Sequence, residues 1–183
     1  MPPILIQDAC VLLNVLASGR FADIAGGCGF RFAVVSEVSR EALYVRHALT
    51  GERERIDLQL FVARGVLEVL TIKGEAEQLR FIELAVDLED GEAASIAIAE
   101  ARSFALATDD KKARGLLQRK SVKVDLWSTF ELLRRWQAKA GISDAELGSV
   151  LLNIANCATF RPRRGQSEFE WWSKIVNLKP GST

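Results

Sequence analysis

Histidine is almost missing from this chain of 183 residues, in which His47 stands alone. That excludes histidine ligand sets and most histidine-based acid–base chemistry. Cysteine is also scarce. Cys10, Cys28 and Cys157 form an odd, widely separated set with no CxxC or Cys/His spacing for zinc, and they read as buried or incidental thiols. No apolar run reaches the roughly 18 to 20 residues of a membrane span. Met1-Pro2-Pro3-Ile4 lacks the basic region and cleavage site of a signal peptide, so the expectation is a cytoplasmic protein with no membrane partner. Neither sign of charge is in excess, with 24 basic and 24 acidic residues, which removes any global electrostatic argument for nucleic-acid binding. Internal repeats and low-complexity linkers are absent as well. With 49% hydrophobic residues, the composition fits one ordinary domain with a real core and a small appendage. Carboxylates remain as the chemical resource.

Short apolar runs alternate with helical patterns over the first two thirds of the chain. Residues 4–7, 32–35, 66–72, 104–108 and 121–126 read as strands. Helices are expected from Asp8 to Gly19, from Glu37 to about Leu49 behind a Ser36 cap, over 75–86, from Asp90, and over 111–119. The glycine-rich stretch 23–29 reads as a loop, 51–57 as charged and exposed, and 58–63 as helix or strand. Strand–helix alternation of this kind predicts a parallel α/β sheet with right-handed crossovers. From Ser128 onward the pattern is helical, with a capping box at Ser143–Glu146 and a last short helix over 167–176 that carries Trp171 and Trp172.

Several acids fall where such a sheet binds ligands, outside the carboxyl ends of its strands. Asp8 follows the first strand, which is expected to be central. Asp109 and Asp110 end a later strand, and two neighbouring carboxylates cannot both fill one helix cap. Asp8 and one of this pair therefore read as ligand holders as well as caps. Glu92 sits in a first helical turn, where the macrodipole favours an acid anyway. Glu41 lies in mid-helix and could equally face solvent. Glu37 reads as a dipole-favoured surface acid, and Asp23, Asp57 and Asp125 as surface.

Four of these segments, in order, resemble the PIN domain, a metal-dependent ribonuclease fold found in VapC-type toxins and stand-alone prokaryotic proteins. They are Ile4-Leu5-Ile6-Gln7-Asp8, Val34-Val35-Ser36-Glu37-Val38-Ser39-Arg40-Glu41, Asp90-Gly91-Glu92-Ala93 and Ala107-Thr108-Asp109-Asp110-Lys111. The third has Glu92 where the pattern more often has Asp. The resemblance spans residues 4 to 127. It implies a three-layer α/β/α fold with a mostly parallel central sheet over 1–127 and a helical C-terminal extension over 128–183. It implies catalytic acids at Asp8, Glu41, Glu92 and Asp110, with these and Asp109 holding Mg2+ or Mn2+. Two such ions can hold both the attacking and the leaving oxygen of a phosphodiester. The expected activity is that of an endoribonuclease cutting RNA, as the toxin of a toxin–antitoxin pair with a small antitoxin partner, or alone. A homodimer is expected by the same analogy, with the tryptophan-bearing tail as its surface.

Lys111, Lys112 and Arg114 follow the last acid and are expected to hold phosphates, although a solvated helix face explains them as well. Arg161, Arg163 and Arg164, near Trp171 and Trp172, suit single-stranded RNA. The reading we prefer for this run is a surface loop over tryptophans of a core or an oligomer contact. A haloacid-dehalogenase-type phosphatase would need an acid where Cys10 stands. A receiver domain would need an aspartate after the 66–72 strand. The rival from another class is a non-catalytic PIN-fold module that binds RNA or a protein.

Overall fold

Strand β1 (Ile4–Gln7) runs through the middle of a five-stranded sheet, with Leu5, Ile6 and Gln7 fully buried. A strand covered on both faces reads as a continuous apolar run rather than an alternation, as Ile4-Leu5-Ile6 does. The computed structural model describes residues 1–177 apart from Ala42, Ala48, Leu49 and Ser121. In chain order β1 is followed by α1 (Ala9–Ala17), α2 (Phe21–Gly27), β2 (Arg31–Val35), α3 (Ser36–Arg40), β3 (Tyr44–Arg46) and β4 (Arg53–Arg55). Then come α4 (Gln59–Ala63), β5 (Leu67–Leu70), α5 (Gly74–Ala85), α6 (Asp90–Arg102) and β6 (Ala105–Ala107). The chain continues with α7 (Lys111–Arg119), β7 (Leu126–Trp127), α8 (Thr129–Ala140), α9 (Asp144–Cys157) and α10 (Glu168–Val176).

The sheet order is β5-β2-β1-β6-β7, and every pairing in it is parallel. Helices flank it in a three-layer α/β/α arrangement. Helix α6 lies across β2, β1 and β6, which its small residues permit, and Ala93 to Ala99 are all buried. Helix α5 packs on α6 from outside, while α1 rests on β1 and gathers α2, α8 and α9 about it. The segment after β7 therefore packs on the first helices of the chain, with Trp136 of α8 almost wholly buried. Helix α10 reaches α9 at Gly148, where a Cβ would sit 3.0 Å from the Ile175 carbonyl oxygen. Among the described residues no single helix is long and apolar enough to cross a membrane.

Three local expectations are corrected. Residues 21–27 form helix α2 rather than loop, because Phe21, Ile24 and Ala25 bury one face and Phe21 meets Phe32 and Phe61 edge-on. That burial outweighs the helix cost of Gly26 and Gly27, about 1 kcal/mol each. The expected helix from Glu37 to Leu49 stops at Arg40, and Tyr44–Arg46 pairs antiparallel with Arg53–Arg55 instead. Half-buried Val45 packs against the core in this hairpin, and Gly51 adopts the positive φ of its turn (70°). Ala48 and Leu49, at the end of that expected helix, lie outside the described residues, as does Ser121 at the start of the expected 121–126 strand. Among the described residues of that stretch Leu126 alone joins the sheet, as β7 with Trp127 after it.

Candidate functional site

Asp8, Asp110 and Glu92 each serve the start of a helix. Asp8 is the N-cap of α1: its Oδ1 accepts the Val11 N–H at 2.9 Å and the Cys10 thiol at 3.0 Å. Only 4% of it is exposed, and burial pushes its carboxyl up to about 6. Burial, and then the Asp8 carboxylate, push the Cys10 thiol up as well, so it is an inert donor. Asp110 caps α7 by accepting the Ala113 N–H at 2.8 Å. Glu92 accepts the Glu89 N–H at 3.4 Å in a capping box at the start of α6. Burial, followed by the Asp110 charge, raises its carboxyl above the ordinary range. Glu41 lies not in mid-helix but at the C-cap of α3, exposed, and is raised by partial burial and by Glu89.

Asp109 faces away from this group. Its Oδ1 accepts the Thr129 N–H at 3.0 Å, and its Oδ2 accepts Asn14 Nδ2 at 3.1 Å and the Thr129 hydroxyl at 2.5 Å. Thr129 and Asn14 are both buried. The carboxylate thus ties the end of β6 to α1 and to the first turn of α8. Burial raises its carboxyl, and these hydrogen bonds oppose the rise.

These placements correct the metal-centre expectation. Asp8, Glu41, Glu92 and Asp110 do line one small cavity of about 140 Å3, together with Glu89. Even so, among the described residues no group of three or more His, Cys, Asp or Glu side chains stands where it could hold a metal ion. The physical reason lies in the hydrogen bonds: three of the acids point oxygens at backbone N–H groups of their own helix ends, and Asp109 is taken up by Thr129 and Asn14. The Mg2+ or Mn2+ ligand set Asp8, Glu41, Glu92, Asp109 and Asp110 does not fit this geometry. The metal-dependent endoribonuclease reading falls with it, and so does the toxin reading that depended on that activity.

The small cavity is closed by contact as much as by charge. A Cβ on Gly91 would lie 2.9 Å from Val38 Cγ2 and 3.0 Å from Glu41 Oε1. The exposed Glu41 carboxylate can swing away, but buried, β-branched Val38 cannot. Gly91→Ala is expected to lower stability by about 1–2 kcal/mol, the overpacking cost less the gain in helix propensity. Urea denaturation measures it, and an unchanged or raised midpoint would show that α6 approaches α3 less closely than this.

A large concavity lies beside the acids. It is a cleft of about 1090 Å3 whose lining includes Lys111, Arg114, Arg161, Arg163 and Arg164, with Phe130, Phe160, Phe169 and Trp172 among its apolar walls. Three acids, Asp109, Glu131 and Glu168, also line it. Asp109 is occupied as described, and Glu131 accepts the Ser128 N–H and hydroxyl at the start of α8. Arg114 Nη1 donates to the Thr108 carbonyl at 2.9 Å, which holds that guanidinium at the cleft wall. Arg161, Arg163 and Arg164 are exposed and take part in no ion pair among the described residues. Phe160 stacks on Phe130 with ring centroids 5.0 Å apart and planes at 25°. Trp171 meets Phe130 edge-on and carries the Arg134 guanidinium 4.3 Å from its ring centre.

Of the three expected phosphate contacts, Lys111 and Arg114 line this cleft, and Lys112 is exposed on α7 outside its lining. The basic run that the sequence places on a mere surface loop stands opposite them. Phe130 and Phe160 were not singled out in the sequence, where nothing but aromatic character near a basic run marks them. Comparison of the chain with family models, with curated proteins and with solved structures finds no match, so the site is read from its own geometry.

Proposed function

We propose that this chain is a module of PIN-like fold that binds single-stranded RNA without cleaving it. The observation that carries this reading is the cleft, which gathers Lys111 and three arginines that take part in no ion pair among the described residues beside half-buried Phe160, itself stacked on buried Phe130. Phosphates are held by exposed guanidinium and ammonium groups, and unpaired bases stack on aromatic rings, so the two features together suit a single strand. A duplex would present its phosphates but not its base faces. The net charge of zero is no obstacle, because several acids are spent on helix caps and Asp109 on an internal tie, while Arg161, Arg163 and Arg164 are exposed and take part in no ion pair among the described residues.

Fluorescence anisotropy with a labelled oligouridylate tests the reading. Arg161→Ala/Arg163→Ala/Arg164→Ala is expected to weaken binding at least about tenfold and to flatten the log–log salt dependence by about 2, the loss of three single-strand phosphate contacts. Wild-type protein that binds no oligonucleotide at low salt, or a triple variant that binds as wild type does, would overturn it.

A further inference from the structure

The β3–β4 hairpin presents an unusual face. Antiparallel pairing sets Tyr44 opposite Arg55, Val45 opposite Glu54, and Arg46 opposite Arg53. Directly opposed residues share a face and alternate residues along a strand do too, so Tyr44, Arg46, Arg53 and Arg55 all lie on one side. Val45 and Glu54 take the other. Three guanidiniums and a phenol thus share one short surface, and all four residues are exposed. Arg46 and Arg53 face each other across the ladder, an arrangement of like charges that destabilises a strand pair. None of the ion pairs among the described residues involves Arg46, Arg53 or Arg55. An anion between them would turn repulsion into attraction.

Tyr44, Arg46 and Arg53 line a second cavity, of about 480 Å3, at the edge of the hairpin, together with Val45 from its inner side, Cys10, Leu13 and Asn14 of α1, and the 157–160 segment. The Arg53 guanidinium sits 4.5 Å from the centre of the Tyr44 ring, holding an aromatic surface and a cation side by side. Thr159 and Phe160 line this cavity and the large cleft alike. Thr159 occupies the left-handed region at φ 59°, a strained conformation for a β-branched residue. The backbone is therefore held in a costly turn at the ridge where the two cavities meet, with Phe160 beside it.

We propose that the hairpin is a second nucleic-acid subsite, and that one strand runs from the large cleft over Thr159 and Phe160 to Tyr44, Arg46 and Arg53. The proposal rests on the RNA-binding reading and extends it: bases stack at Phe160 and Tyr44, and the hairpin arginines take the phosphates of the far segment. Ligand length becomes the readout. A short oligonucleotide satisfies the large cleft alone, whereas a longer one reaches both sites and gains affinity from the second.

Labelled uridine tetranucleotide and dodecanucleotide, titrated by anisotropy over a range of KCl concentrations, test it. Wild type is expected to bind the longer strand at least about tenfold more tightly than the shorter. Arg46→Ala/Arg53→Ala is expected to remove most of that gain and to lower the salt slope for the dodecanucleotide by about 1.4, leaving the tetranucleotide within about twofold of wild type. Arg46→Lys/Arg53→Lys keeps the charge and should retain most of the gain, which separates lost phosphate contacts from a disturbed hairpin. A double alanine variant that binds the dodecanucleotide as tightly as wild type, or a wild type that binds both lengths equally, overturns the second subsite and leaves the first intact. A wild type that binds neither strand overturns the RNA reading itself, and this proposal with it.

Discussion

Asp8→Asn is expected to make the protein more stable at pH 8, by about 2–3 kcal/mol, although the substitution deletes a buried charge at the centre of the sheet. The carboxyl is raised from 3.8 to about 6, with burial as the main cause. A group held above its unfolded value binds its proton more tightly in the folded chain. Its stabilising contribution is full below pH 3.8, is lost as the pH rises through about 6, and is absent at pH 8. The whole swing is about 3 kcal/mol at 1.36 kcal/mol for each pH unit. Asparagine keeps the acceptor oxygen that takes the Val11 N–H and the Cys10 thiol. Its amide faces the Thr108 hydroxyl, which can accept as well as donate. Thermal unfolding at pH 4 and pH 8 measures the effect, with a rise in Tm of roughly 5–10 °C expected at pH 8 and a flatter profile between the two. The raised carboxyls of Glu41, Glu92 and Asp109 act in the same direction, so some slope remains. A lower Tm at pH 8 would mean that the folded chain favours the ionised form of Asp8, contrary to the burial argument.

The same change at Asp109 should have the opposite sign. Both of its oxygens accept, and three donors converge on them from Asn14 and Thr129. An amide there would turn a donor toward donors. Asp109→Ala goes further and strands the buried Thr129 N–H, at a cost of about 2–4 kcal/mol, and Asp109→Asn should fall between alanine and wild type. Loosening this tie frees the first turn of α8, which carries Phe130 at the wall of the large cleft, so the RNA affinity proposed for that cleft should fall along with stability. Chemical denaturation at pH 7 of the three proteins side by side provides the measurement. If Asp109→Ala unfolds at the wild-type midpoint, the tie between β6, α1 and α8 contributes nothing net. The contrast between Asp8→Asn and Asp109→Asn is informative in itself, because two acids from one end of one sheet differ in the number of donors that converge on their oxygens.

The architecture is largely legible in the sequence. A continuous apolar strand at Ile4–Gln7, alternating strand and helix patterns, and caps at Asp8, Asp110 and Ser143 are local signals that survive folding, whereas Ser36 lies inside α3 and caps nothing. Where burial came from distant partners, the reading missed. Residues 23–29 look like a glycine-rich loop, but most of them belong to α2, where Phe32 and Phe61 close over Phe21. The hairpin looked like a helix followed by a charged loop, because three-residue strands rich in arginine carry no periodicity to read. The acids were found in the right place but given the wrong task. Spacing shows that carboxylates gather at strand ends; it does not show which way their oxygens point.

Sequence alone determined the class of this protein: a parallel α/β sheet with its first strand in the middle, acids at the carboxyl ends of its strands, and a helical segment after residue 127. It did so because strand burial and helix caps depend on residues within a few positions of one another. Only the tertiary structure decided what the charged residues do. It turned three carboxylates toward helix ends and one toward a tie between three elements, left Glu41 exposed, and brought Lys111 and Arg114 to face a basic run about fifty residues further along. It also set Arg46 against Arg53 across a ladder. Each of these depends on the direction of a side chain relative to a partner far away in the chain, and hydrogen-bond direction and like-charge proximity have no signature in a linear pattern.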